Sequence, residues 1–186
     1  MNHGLILVNK PTKITSHDVV DGIRRIFKTK KVGHFGTLDP MAQGLLLIGM
    51  GHATKFFDFY TKKKKLYSGH IAFGYATTTY DAEGEPMTEH KEIDLTAPSY
   101  DTELDSILKR FTGKLSQMPP IYSAKKYKGK PMYKYARENR DAEVKIKPAD
   151  VEIFSLQGKT VDRNKMWFRT ETSSGTYIRS LAHDIG

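Results

Sequence analysis

The chain has 186 residues, enough for one domain with a real core, and its 30 Lys and Arg against 21 Asp and Glu give a formal net charge of +9. There is no cysteine, which excludes disulfides and thiolate metal sites and points to a reducing compartment. The positive surplus suits a polyanion, nucleic acid first and an anionic membrane second. The longest apolar run, residues 45–50, is far too short to span a bilayer, and the opening residues lack the basic and apolar regions of a secretory signal. A soluble cytoplasmic protein that does not associate with membranes is expected.

The first element, Leu5-Ile6-Leu7-Val8, reads as a buried strand between Gly4 and Pro11. Thr15 and Asp18 have capping-box spacing. Val19, Val20, Ile23, Ile26 and Phe27 follow at helical spacing, so a helix is predicted over 17–29, with Lys28, Lys30 and Lys31 at its end. Next comes Gly33-His34-Phe35-Gly36-Thr37-Leu38-Asp39-Pro40-Met41-Ala42-Gln43-Gly44. Gly36 and Gly44 bracket Asp39, and Pro40 pushes the residue before it towards extended geometry. Asp39 is therefore expected to point off a turn. By itself, an Asp before Pro is usually only a turn former. Residues 45–48 read as a second buried strand, and 54–60 as a short helix with an aromatic face.

Lys62 to Lys65 are four consecutive lysines, read either as a solvated turn or as a phosphate contact. Residues 66–73 alternate as a strand, with Tyr67, Gly69, Ile71 and Phe73 on one face. Residues 77–84 form a polar loop. Leu104, Ile107, Leu108 and Phe111 predict a helix that stops at Gly113. Beyond Pro119-Pro120, residues 122–137 carry five lysines and Arg137 among four tyrosines. Cations neutralise phosphates and flat rings stack on exposed bases, so this pattern suits a nucleic-acid groove; the plainer reading is a basic surface helix. Residues 144–146, 151–154 and 166–170 alternate as strands, and Ser173-Ser174-Gly175-Thr176 is a turn. Ile178, Leu181, Ala182 and Ile185 return to helical spacing, with Arg179 off the apolar stripe. The elements suggest an α+β domain without repeats or linkers.

Standard chemistries find little support. The chain has no phosphate-cradling Gly-rich loop with Lys-Ser/Thr, no dinucleotide fingerprint after the first strand, and no metal-ligand spacing among its seven histidines. Ser123 has no histidine beside it in sequence. A carboxylate in a special loop and a basic aromatic surface remain. Such a carboxylate can act as a nucleophile or a general base, and an arginine elsewhere could hold it ionised and oriented.

The glycine-bracketed motif around Asp39 resembles the catalytic motif of the TruB-type tRNA pseudouridine synthases. Other segments resemble further motifs of that family in the same order: Gly4 to Lys10-Pro11 with Thr15-Ser16; Tyr67 on its strand; Pro119-Pro120 with Tyr122-Ser123-Ala124, Lys126, Gly129, Tyr133, Ala136 and Arg137; and Ser174-Gly175-Thr176-Tyr177-Ile178-Arg179. The resemblance covers nearly the whole chain. It implies a pseudouridine synthase fold with a mixed, mostly antiparallel sheet flanked by helices, and an RNA-gripping insertion at about 118–147. The implied reaction is isomerisation of a uridine in the tRNA T-loop, normally position 55, with no cofactor and no metal.

By the same resemblance, Asp39 matches the essential aspartate, Tyr67 the ring that packs on the target base, and Arg179 the arginine that pairs with the aspartate. Tyr177 lies beside it in the same motif. His34 matches a histidine that helps hold the opened T-loop, Asp81 falls in a loop that reaches the site, and Lys10, Lys126 and Arg137 match basic RNA-binding positions. A monomer acting on tRNA, without a protein partner, is expected. Phe35 stands where the family usually has threonine, Gln43 where threonine is common and Lys13 where glycine is common. Family members continue past residue 186 with more core structure and usually a C-terminal RNA-binding domain. The chain is therefore expected to be C-terminally truncated, and a weakly active or inactive tRNA-binding or folding module is the alternative function.

Overall fold

The computed structural model describes residues 3–186 and divides the chain into two units, one ending at Lys63 and the other comprising Lys64–Gly186. In the first unit, β1 (Gly4–Lys10) leads into α1 (Ser16–Ile26). Thr15 caps α1 as its spacing predicts: its side chain accepts from the Asp18 amide and the Asp18 carboxylate accepts from the Thr15 amide. The helix is shorter than the sequence suggests. It ends at Ile26, Lys28 turns left-handed at φ +49°, and Ile26 and Phe27 are exposed rather than on the apolar face.

β2 (Val32–His34) and β3 (Gly44–Met50) complete an antiparallel sheet in the order β1-β3-β2. Val19 and Val20 of α1 pack on Val32, Leu46, Ile48 and Met50. On the opposite face the buried Phe35 ring lies against Gly49. Leu5, Leu7 and Leu45 lie on that face too and are exposed, so β1 and β3 are not the fully buried strands expected from their apolar runs. A 3₁₀ turn (Gly51–Phe56) and α2 (Phe57–Thr61) supply the aromatic segment.

The second unit is built on a four-stranded antiparallel sheet. It contains β4 (Lys65–Ala72), then α3 (Pro98–Arg110), β5 (Gly113–Gln117), the short hairpin β6 (Lys126–Tyr127) and β7 (Lys130–Pro131), α4 (Met132–Arg137), β8 (Ala149–Asp162), β9 (Lys165–Thr172) and α5 (Ile178–Ile185). The order is β4-β9-β8-β5. One face is apolar: Ile71, Ile153, Met166 and Phe168 pack with Leu108 of α3 and Leu181 and Ile185 of α5. Tyr67 lies against this cluster, on the face its alternation predicts. Residues 144–146, expected to form a strand, have no regular structure and follow a short 3₁₀ turn at Asp141–Glu143. The two-stranded β6–β7 hairpin turns through Lys128 and Gly129, both at positive φ. All strand pairs among the described residues are antiparallel. No helix among them is long and apolar enough to cross a membrane.

Candidate active site

In the first unit, the chain between β2 and β3 carries Asp39. It adopts the turn expected from Asp-Pro: the Ala42 amide donates to the Asp39 carbonyl at 3.0 Å, closing a turn over Pro40 and Met41. The turn is fastened on both sides. Before Asp39, the buried Ser16 hydroxyl accepts from the Leu38 amide at 2.9 Å and donates to the Leu38 carbonyl at 3.1 Å. After it, the Pro40 carbonyl accepts from the Lys13 amide at 2.8 Å and from Lys10 Nζ at 3.3 Å. With the backbone held on both sides, the point from which the Asp39 side chain projects is fixed. Gly44 takes φ +125° after the loop, whereas Gly36 does not use the left-handed region.

Lys10 departs from its expected role. It is 0% exposed, and its ammonium donates to the carbonyls of Pro11 at 2.9 Å and Ile14 at 2.8 Å as well as Pro40. An RNA phosphate cannot reach it without breaking these bonds, so Lys10 belongs to the support of the loop. His34 ends β2, opposite Ile48, and is partly buried. Burial lowers its pKa from the ordinary 6.5, opposed by a hydrogen bond with the Gly36 backbone and reinforced weakly by His17. The imidazole is therefore held towards its neutral form. Phe35 points into the unit, 3% exposed, with its ring stacked on Tyr60 at 5.5 Å and edge-on to Phe57 at 6.1 Å.

In the second unit, Arg179 lies in the first turn of α5 and gathers two distant segments. Its Nη1 donates to the Thr79 carbonyl at 3.0 Å, its Nη2 to the Tyr122 carbonyl at 2.9 Å, and its Nε lies 3.7 Å from an Asp81 carboxylate oxygen. Both side chains of the ion pair are almost enclosed, 12% and 9% exposed, so water screens the pair little. Asp81 also organises its own loop, accepting from the Thr79 hydroxyl at 2.6 Å and the Glu83 amide at 3.0 Å. The structure thus brings Arg179 together with Asp81 and with the start of the basic, tyrosine-rich segment.

Tyr177 caps α5, and here sequence reasoning missed a residue. The Gln117 carboxamide accepts from the Tyr177 amide at 2.8 Å and donates to its carbonyl at 3.0 Å. Beside it, the Ser180 hydroxyl donates to the Met118 carbonyl at 2.7 Å. Gln117 and Ser180 are both buried. The signal was present: Gln117 is a polar residue on the inward face of β5, two residues after Leu115, and a buried amide must find partners.

The tyrosine-rich segment divides into packing and surface. Tyr135 is buried, edge-on to Tyr127 at 5.8 Å, and two of the four rings thus serve the segment's own fold. Lys130 is paired with Glu138 at 2.6 Å, and Arg140 with Glu143 at 2.7 Å. Lys126 and Arg137 remain exposed, Arg137 lying over the Tyr133 ring at 5.2 Å. In the lysine run, Lys63 lies over the Phe59 ring at 4.1 Å and Lys64 over the Phe154 ring at 3.8 Å. Among the described residues, no three His, Asp or Glu side chains come together as a metal site.

Comparison with known proteins converges on one group. Residues 24–178 match the model of the TruB family pseudouridylate synthase N-terminal domain. The chain is 45% identical over 183 residues to the tRNA pseudouridine synthase B of Solibacter usitatus, covering 98% of this chain and 60% of that protein. It is 44% identical to the Thermotoga maritima protein of the same name, covering 100% and 58%. The chain therefore spans about three fifths of the length of these curated relatives. Among solved structures, a chain in a Cbf5–Nop10–Gar1 complex superposes with a TM-score of 0.69 at 26% identity, covering 98% of this chain and 43% of that one. A chain of an H/ACA RNP bound to a substrate RNA containing 2′-deoxyuridine shares the fold, with a TM-score of 0.65 at 23% identity.

Proposed function

The chain belongs to the TruB family of pseudouridylate synthases, and on that premise we propose that it isomerises uridine to pseudouridine in the T-loop of tRNA, at position 55, through the Asp39 carboxylate. The observation that carries this reading is the fastening of Leu38 and Pro40 on either side of Asp39 by Ser16, Lys13 and Lys10. A turn that served only to reverse the chain would not need both neighbours of its acid fixed from another segment.

In the reaction the N1–C1′ bond of the nucleotide breaks, the base turns, and a C5–C1′ bond forms. C5 loses its proton and N1 gains one, so the product is an isomer and no co-reactant is consumed. The uridine first leaves its stack, which costs a few kcal/mol. Tyr67 recovers about 1–3 kcal/mol of this by stacking on the base. Asp39 attacks C1′ or C6, or removes a sugar proton; each route uses an ionised carboxylate. Arg179 supplies the cationic role and, with Asp81, orders the loop it grips. His34 and Tyr177 contact the opened T-loop, and Lys126 and Arg137 meet the RNA backbone.

The test is incubation of an unmodified tRNA T-stem-loop with the chain, followed by chemical mapping of pseudouridine. Asp39→Asn is expected to abolish the product while RNA binding survives. Full product formation by that variant would refute the role of Asp39. Salt-sensitive binding with no uridine isomerised by the unsubstituted chain would instead favour an RNA-binding module.

A further inference from the structure

Tyr80 lies inside the loop that carries Asp81, in the left-handed region at φ +62°. An aromatic residue there is uncommon and persists only where its surroundings fix it. The surroundings are unusually complete. The Tyr80 amide donates to the Thr77 carbonyl at 3.1 Å, and the Thr77 hydroxyl donates to the Asp81 carbonyl at 2.7 Å. The residues on either side of Tyr80 are both held by Arg179, through the Thr79 carbonyl and the Asp81 carboxylate. The Tyr80 ring itself lies face to face with the ring of His183, with centroids 3.8 Å apart and planes within 5°.

Arg179 and His183 are four residues apart on α5 and so project from the same side of the helix, one turn from each other. The loop is thus fastened to α5 twice, by a guanidinium at the first turn and by an imidazole at the next. The guanidinium holds the loop through Thr79 and Asp81, on either side of Tyr80. The ring contact adds a further anchor one helical turn on, at Tyr80 between those two residues. His183 contributes nothing to the apolar stripe of α5, which is carried by Leu181 and Ile185, and its side chain is on the surface. Its ring is therefore removable without opening the core.

We propose that His183 is a positioning residue: by stacking on Tyr80 it locks the 77–84 loop onto α5 and keeps Asp81 in place for Arg179. The catalytic consequence rests on the isomerase reading above, whereas the lock itself does not.

Hydrogen exchange separates the two. In His183→Ala, the Thr78, Tyr80 and Gly84 amides, which donate to the Glu85, Thr77 and Asp81 carbonyls, are expected to exchange about threefold to tenfold faster, the range set by the strength of an aromatic pair. The amides of β8 and β9 are expected to keep their rates. His183→Phe restores a ring and is expected to restore protection. Unchanged exchange in His183→Ala, or equal loosening in His183→Phe, would overturn the lock. On the T-stem-loop, His183→Ala is expected to lower kcat about tenfold with KM within about twofold, and His183→Phe to recover it. A loosened loop with unchanged kcat would overturn the positioning role. Absence of pseudouridine with the unsubstituted chain would count against the isomerase reading, and exchange would still decide the lock.

Discussion

At the scale of single residues, Lys13 shows how this chain meets a backbone demand with an unhelpful side chain. Its φ of +68° lies in the left-handed region, and its amide donates to the Pro40 carbonyl at 2.8 Å. The geometry is required because that bond closes one side of the Asp39 turn. Glycine, common at this position in the family the sequence resembles, adopts the conformation without the clash between Cβ and the carbonyl oxygen that costs other residues about 1–2 kcal/mol. Part of that gain is offset by the greater freedom of glycine in the unfolded chain. Lys13→Gly is therefore expected to stabilise the protein by about 0.5–1 kcal/mol, read as a higher urea midpoint at unchanged slope. A lower midpoint would show that the lysine side chain contributes more than its backbone costs. Lys10 presents the opposite case. Its sequence position suggested a cation for RNA, but burial turned that cation into a donor for carbonyls that loops leave unpaired, and nothing in a one-dimensional pattern distinguishes those uses.

At the scale of elements, the aromatic segment after β3 explains the second departure from the family pattern. Phe35, where the resemblance leads one to expect threonine, fills the space between β3 and the 51–61 segment, stacking on Tyr60 and edge-on to Phe57. The opposing position is Gly49 of β3, where a Cβ would stand 2.4 Å from the Phe35 ring. Ring and glycine are therefore a matched pair. Gly49→Ala is expected to destabilise by about 1–3 kcal/mol as an overpacked site. Adding Phe35→Thr to it is expected to cost less than the sum of the two single changes, as a double-mutant cycle of thermal melts would measure. Strict additivity would mean that the ring moves aside freely. The helix at Thr15, the strand of Tyr67 and the turn at Asp39 were all legible, because capping, alternation and Asp-Pro geometry are local rules. The Gln117–Tyr177 clamp, the Arg179 contact to Tyr122 and the orientation of Phe35 were not. Each joins residues far apart in sequence, and only the folded backbone sets such distances. The 144–146 segment failed for a related reason: its alternation was real, but among the described residues no strand pairs with it to supply hydrogen bonds.

At the scale of the whole molecule, the net charge of +9 says that a polyanion is attracted but not where it is held. The structure divides the cations of the basic segment by availability. Lys130 is occupied by Glu138, and Arg140 by Glu138 and Glu143, whereas Lys126 and Arg137 are exposed and form no ion pair among the described residues. Binding strength to RNA falls with salt because neutralised phosphates release counterions, and each contact adds about 0.7–0.9 to the slope of log affinity against log salt. Replacing both Lys126 and Arg137 with alanine is therefore expected to lower the slope for a T-stem-loop by about 1.4–1.8. Replacing Lys130 with alanine is expected to change it by less than about 0.5, since Glu138 already compensates that charge. The measurement is a titration of the stem-loop at several salt concentrations for the three proteins. If Lys130→Ala lowers the slope as much per charge as the double variant, the segment attracts RNA through its summed field rather than through individual contacts. The assignment of Lys126 and Arg137 to the RNA backbone would then fail, while a carboxylate-dependent reaction at Asp39 would be untouched.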